Sequence, residues 1–389
     1  MRIVVFGLSV TSTWGNGHGT TFRALLRALH KRGHDIVFFE KDVEWYASNR
    51  DLPQPDFCKV VLFDGWREVV SLAREELRAA DVAMVGSYFP SGVEAADELA
   101  DSSVGIKAFY DIDTPITVAG LRAQDRTGYL EARQIATFDV YFSFTGGPIL
   151  RELEDRFGAR RAVPLYCSFG PQNYRRFGIN RRFASDFSYM GTYAPDRQPK
   201  LEEFLHEPAR QLPEMKFLVA GPQYPTELSW PSNVRRIKHL NPRWHAKFYS
   251  SSRFTLNVTR RDMVKAGYSP SVRLFEAAAC GATIISDNWP GLETFFSPGD
   301  EILLPVSSDD VVHYLRDVSP GEARTIGERA QARVQSEHTS ERRAIEFENE
   351  IERARSGAFS ASAGTDLVQS PTRHMRVAAP EVTCKFQLP

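Results

Sequence analysis

Short apolar runs alternate with longer stretches of helical period along most of this chain. Arg2 to Phe6 is apolar and β-branched and stops at Gly7. Residues 20–32 then place Phe22, Leu25, Leu26 and Leu29 on one helical face, and Gly33 ends them. A second apolar run follows from Asp35 to Phe39. That order predicts a βαβ unit built on a buried parallel sheet. Runs at 82–86, 106–110, 138–144 and 162–167 continue it, with a helix expected at 149–157. The alternation over residues 1–170 predicts one doubly wound, Rossmann-like α/β domain.

Residues 171–182 interrupt the pattern. They are basic, contain Gly178 and have no apolar period, which predicts a linker. Strand-like runs resume at 187–190, 216–220, 234–237, 255–258 and 282–286, with helices expected at 200–212 and 242–250 and between 271 and 280. A late strand is expected at 302–305, and amphipathic helices within 308–317 and 320–354. Residues 183–339 therefore predict a second domain of the same α/β type. From 358 to 389 Ser, Ala, Gly, Thr and Pro dominate without apolar period, so a mobile tail is expected there.

Composition adds limits. With 42% hydrophobic and 12% aromatic residues in 389, the chain can bury two cores. A formal net charge of -1 gives no whole-molecule attraction to nucleic acid or anionic membrane. Cys58, Cys167, Cys280 and Cys384 lack metal-ligand spacing and suggest free thiols in a reducing compartment. No run reaches the length of about 18 apolar residues that a membrane span needs. A cytoplasmic protein without a transmembrane segment is expected, with peripheral membrane contact left open.

The chemistry concentrates at loop-to-helix junctions. In the stretch from Ser269 to Asp287, Ser269 or Ser271 is expected to cap a helix entered at Pro270, Gly281 stops it and an apolar strand follows. Arg273 and Glu276 fall near the amino end of that helix, where free amides favour an anion. A carboxylate beside an anion site suits a ligand with both phosphates and sugar hydroxyls. Arg197 and Lys200 stand at another helix start, after Gly191, and suit a diphosphate. In the first half, Trp14-Gly-Asn-Gly-His-Gly19 leads into a helix. A dinucleotide fingerprint is a poor fit there, even with Glu40 placed like a ribose-binding acid. Thr20 stands where the third glycine belongs, and the glycines come too long after the strand. His18 in that loop is a candidate general base. It needs a carboxylate partner, and Asp111 and Asp113, just past an expected strand end, are candidates. Asp111-Ile-Asp113 has the spelling of a metal motif but lies in the first half, and no metal site is expected.

Together these residues resemble the nucleotide-sugar signature of GT-B fold glycosyltransferases, and among them the CgeB-like (spore-maturation, group 1-like) family. The resemblance rests on Ser271 to Asp287, Trp14 to Gly19, Tyr110-Asp-Ile-Asp-Thr-Pro115, Ser143-Phe-Thr-Gly-Gly-Pro148, Gly191-Thr-Tyr-Ala-Pro-Asp-Arg197 and Val219-Ala-Gly-Pro-Gln-Tyr-Pro225. It implies two Rossmann-like domains facing across a cleft, the second holding a nucleotide-diphosphate sugar and the first an unidentified acceptor. It implies ribose binding by Glu276, diphosphate contacts from Arg197, Lys200 and Arg273, and base contacts near His239 and Leu240. Gly17, Gly191 and Ser271 would lie against the donor. The helix at 340–357 would cross back to the first domain. Retaining members carry a glutamate where this chain has Tyr268, so stereochemistry stays open. A nucleotide-sugar epimerase on the same fold, and a non-catalytic binding protein, are the alternatives.

Overall fold

The computed structural model describes residues 1–14 and 17–357. The tail expected at 358–389, with Cys384, lies outside the described residues. Two parallel sheets form the body. The first runs in the order β3 (Lys59–Phe63), β2 (Asp35–Lys41), β1 (Arg2–Phe6), β4 (Val82–Gly86), β5 (Ile106–Asp111), β6 (Val140–Ser143), β7 (Ala162–Pro164). The second runs β10 (Val234–Ile237), β9 (Phe217–Ala220), β8 (Ser185–Met190), β11 (Ser252–Asn257), β12 (Thr283–Ser286). Each order reverses once, between β1 and β4 and between β8 and β11. At such a switch point the following helices leave on opposite faces and a crevice opens past the strand ends.

Both faces of each sheet are covered, which is why the central strands read as continuous apolar runs. Val4 and Phe6 pack into a core on one face of the first sheet with Phe39, Phe89 and Phe109. Ile3 and Val5 face the other way, into a core that continues into the second half through Phe183, Phe275 and Phe295. The two halves therefore share apolar contacts as well as a linker.

Several expectations need correction. Lys59–Phe63 is an additional strand at the edge of the first sheet, with only Phe63 fully buried. The expected strand at 302–305 is reduced to isolated bridges, Ile285 with Leu303 and Pro298 with Ile302. Residues 200–212 are helical but broken into a turn at Gln198–Leu201, a π-helical turn at Glu202–His206 and a turn at Glu207–Gln211. The span 320–354 is two helices, Pro320–Glu337 and Ser340–Arg355. Thr339 starts the second by accepting a hydrogen bond from Arg342 N at 3.2 Å, the usual N-cap geometry.

That last helix lies on the first sheet. Ala344, Phe347 and Ile351 are buried there, and the Phe347 ring sits 5.2 Å from that of Phe142. Glu348 pairs with Arg32 at 2.6 Å and His34 at 2.7 Å. No described helix is long and apolar enough to cross a membrane.

Candidate active site

The loop after β1 is built on a buried acid. Glu40 ends up fully buried at the carboxyl end of β2, and its carboxylate accepts from Ser9 Oγ (2.9 Å), Val10 N (2.6 Å), Thr11 N (2.9 Å) and Thr11 Oγ1 (2.6 Å). These bonds occupy both of its oxygens, so Glu40 anchors the loop and is not a ribose acid. Asp51 holds the next turn through Thr13 N and Oγ1, both at 3.0 Å, and is clamped by Arg23. The helix Gly17–Lys31 then starts hard against this loop. A Cβ on Gly19 would lie 2.5 Å from Ser12 O, whereas Gly17 faces open space.

This support delivers His18 to the β1/β4 crevice. His18 Nε2 lies 3.7 Å from Asp113 Oδ2, an ion-pair distance and longer than a hydrogen bond. The Tyr88 ring stands edge-on to the imidazole, centroids 5.2 Å apart. Tyr88 follows β4 at φ +62°, a left-handed conformation uncommon outside glycine. Of the two acids, Asp113 is the one that faces His18. Asp111 is fully buried beneath it and accepts from Tyr141 Oη (2.6 Å), Thr117 Oγ1 (2.9 Å) and Asp113 N (3.2 Å). Burial pushes its pKa up to about 6 against those bonds. Asp111 thus supports the loop that carries Asp113 and does not reach His18.

In the second half, the β8/β11 switch point gathers two arginines and a glutamate. Gly191 lets the chain leave β8 where a Cβ would meet Tyr189 Oη at 2.6 Å, and a Cβ on Gly221 would strike Gly191 O at 1.9 Å. Arg197 is buried and donates to Thr192 O at 2.5 Å. Its Nε and the buried Nε of Arg273 have no hydrogen-bond partner among the described residues. Burial and then the charge of Arg273 hold the Arg197 guanidinium below its ordinary pKa. Two guanidinium groups placed so as to repel each other, each with an unused donor, want an anion between them.

Glu276 lies one turn beyond Arg273 on the helix Val272–Ala279, hence on the same face. It is buried, and burial pushes its pKa up to about 7, opposed by the neighbouring Tyr174 hydroxyl and the charge of Arg273. Tyr249 Oη, also buried, has no partner among the described residues. Ser271 stands at the N-cap but its side chain does not accept from a first-turn amide, contrary to expectation; Ser271 Oγ donates to Asn257 Oδ1 at 2.9 Å instead and ties the helix start to the end of β11. The His239 ring lies 3.8 Å from that of Trp14, a contact between the two halves. Leu240 is buried, and its carbonyl faces His245 Nε2 at 3.2 Å. Lys200 is not brought to the arginines. It pairs with Glu203 at 2.8 Å and covers the Phe204 ring. Tyr174 was not foreseen, because it lies in the segment read as a linker.

Residues 197–349 match a family model described as "Glycosyl transferase-like". No curated protein matches the chain by sequence. Among solved structures, sucrose-phosphate synthase from Thermosynechococcus elongatus superposes with a TM-score of 0.66 at 13% identity, covering 92% of this chain and 100% of that one. HepE from Anabaena, in complex with UDP and glucose, gives 0.64 at 12% identity over 90% of this chain and 99% of that one. An alpha-glucosyltransferase in complex with UDP gives 0.66 at 13% identity over 90% and 100%. The architecture of this chain is the GT-B fold.

Proposed function

We propose that this protein transfers a sugar from a nucleotide-diphosphate sugar to an acceptor hydroxyl. The observation that carries the reading is the pair Arg197 and Arg273, converging with unused buried donors beside the buried carboxylate of Glu276. A diphosphate satisfies both guanidinium groups, and a ribose diol donates to Glu276. As the glycosidic bond breaks, negative charge grows on the departing diphosphate. The two arginines and the free amides at the start of helix Val272–Ala279 stabilise it. On the facing side the His18 imidazole accepts the acceptor's hydroxyl proton, and Asp113 stabilises the resulting cation. That pairing fits a direct displacement that inverts the sugar configuration. The match over 197–349 and the nucleotide-bound complexes with the same fold support the donor side of this reading. Placement in the CgeB-like group rests on the loop motifs.

Isothermal titration with UDP, TDP and GDP tests the donor site. At least one is expected to bind, with a tenfold loss for the matching nucleoside monophosphate or more, since about 1.4 kcal/mol is one lost contact to charge. If none of the three binds, the donor site is wrongly assigned.

Glu276 makes that affinity pH-dependent. With its carboxyl pushed up to about 7, the free protein holds it neutral in mild acid and charged in mild alkali. A ribose diol needs the charged acceptor. Glu276→Gln is therefore expected to bind UDP nearly as well as the wild type at pH 5.5, and to fall behind by about 1–3 kcal/mol at pH 8. Taking the difference between the two proteins removes the nucleotide's own ionisation. A gap that does not change with pH refutes the role. The same raised pKa stabilises the unliganded fold below the usual carboxylate range, and that contribution is lost as pH rises through about 7.

A further inference from the structure

A seam of polar contacts joins the loop after β6 to the start of helix Val272–Ala279, and sugar transfer as derived above does not use it. Gly146 N donates to Tyr268 O at 2.9 Å. Thr145 Oγ1 and Ser269 Oγ share a hydrogen bond of 2.8 Å. Cys167 Sγ donates to Pro270 O at 3.3 Å. On the first-half side the seam continues inward. Ser143 Oγ accepts from Thr145 N at 3.0 Å and is bonded to Thr114 Oγ1 at 2.7 Å, and Thr114 is the residue after Asp113. On the other side, Ser271 holds the helix that carries Arg273 and Glu276. Thr114, Ser143 and Thr145 are fully buried. A continuous buried polar track thus links the neighbour of Asp113 to the segment that leads into Arg273.

Tyr268 sits at the middle of this track in an expensive conformation. Its φ is +47°, in the left-handed region, which costs of order 1–3 kcal/mol for a non-glycine residue and persists only where the surroundings impose it. The surroundings do. Tyr268 N donates to Pro290 O at 2.7 Å. Its ring lies between two glycines, one from each half of the molecule. A Cβ on Gly147 would come within 2.3 Å of the ring, and one on Gly291 within 2.4 Å. Both glycines have positive φ, +68° and +87°. Two loops from different halves have therefore given up their side chains to form one slot for one ring.

We propose that Tyr268 is a positioning residue, a pin whose ring in the Gly147–Gly291 slot sets where Arg273 and Glu276 stand relative to His18 and Asp113. The proposal rests on reading those four residues as the donor and base groups. A reaction that runs between a leaving group held by one half and a base held by the other depends on their separation, and an error of about 1 Å can cost on the order of 100-fold in rate.

The test compares full-length wild type with Tyr268→Phe, Tyr268→Ala and Gly147→Ala. Hydrogen exchange is followed by mass spectrometry on peptides covering 143–148, and UDP affinity by calorimetry. Losing the ring, or filling its slot, is expected to speed exchange at 143–148 by about tenfold or more, because local opening becomes cheaper. Tyr268→Phe keeps the ring and is expected to stay within about twofold of wild type in the same measurement. UDP affinity is expected to stay within about threefold throughout, and turnover of the consumed sugar nucleotide to fall in kcat by about tenfold or more for Tyr268→Ala with KM little changed. Gly147→Ala guards against a Tyr268→Ala protein that fails to fold. Wild-type exchange at 143–148 in both Tyr268→Ala and Gly147→Ala overturns the pin, as does a Tyr268→Phe protein as impaired as Tyr268→Ala. If wild type binds no UDP, TDP or GDP, the donor reading fails instead, and the exchange comparison still decides the pin.

Discussion

His18→Ala is expected to lower turnover by about 10²–10⁴-fold, the usual contribution of a positioned general base, while leaving UDP affinity unchanged. The separation follows from the layout. His18 belongs to the β1/β4 crevice, and the arginines and Glu276 to the β8/β11 crevice. A mass-spectrometric screen against a panel of sugar nucleotides identifies the donor consumed, and turnover of that donor is then compared between wild type and variant. Asp113→Asn should slow the same step with binding intact, since it removes the charge facing the imidazole at 3.7 Å. Asp111→Asn should behave differently. An amide cannot accept from Tyr141, Thr117 and Asp113 N as a carboxylate does, so its main effect is expected on melting temperature. Undiminished turnover in His18→Ala removes His18 as base, and equal effects of the two Asn variants remove the distinction between the acids.

Arg197→Ala is expected to weaken UDP binding by about 2–5 kcal/mol, the range for truncating one partner of a buried charge contact. Lysine should not rescue it, because a single ammonium cannot reproduce the forked donors of a guanidinium on a diphosphate. Without ligand the picture reverses. Arg197 is buried beside another positive charge with its Nε unused. Its removal takes away a charge whose burial and repulsion from Arg273 outweigh the favourable charge of Asp196, at the expense of one hydrogen bond to Thr192 O. The unliganded melting temperature should accordingly hold, while the stabilisation by UDP collapses. Calorimetry and thermal melts with and without UDP measure both. A large loss of stability with affinity intact would make Arg197 a structural residue.

Much of the fold was legible because parallel strands buried on both faces leave unbroken apolar runs, and helices between them leave glycine stops. Lys59–Phe63 was harder to see because an edge strand is less fully buried. The break at 338–339 leaves little trace in the apolar period and followed only from the resemblance, with Thr339 as N-cap its local signal. The candidate site was legible where chemistry and helix position coincide, as for His18, Arg273 and Glu276. It was not legible where tertiary burial decides. The choice between Asp111 and Asp113 depends on Tyr141 and Thr117, from other elements. Lys200 is claimed by Glu203 on its own helix, a pairing at i,i+3 spacing that sequence does permit one to suspect. Tyr174 had no signal, since its segment lacks period and its neighbours His245 and Glu276 lie far along the chain.

The helix Ser340–Arg355 carries a consequence for how the molecule comes into being on the ribosome. Phe347, Ala344 and Ile351 complete the core behind β6, and Arg32 and His34 find their partner in Glu348. Ala344, Phe347, Glu348 and Ile351 are all made long after β6 itself. At roughly 5–20 residues per second, the first sheet emerges and waits on the order of 10–40 s for its last covering piece. During that interval its apolar back surface is open to water and to neighbouring nascent chains. The half of the protein that is synthesised first is thus the half that is finished last.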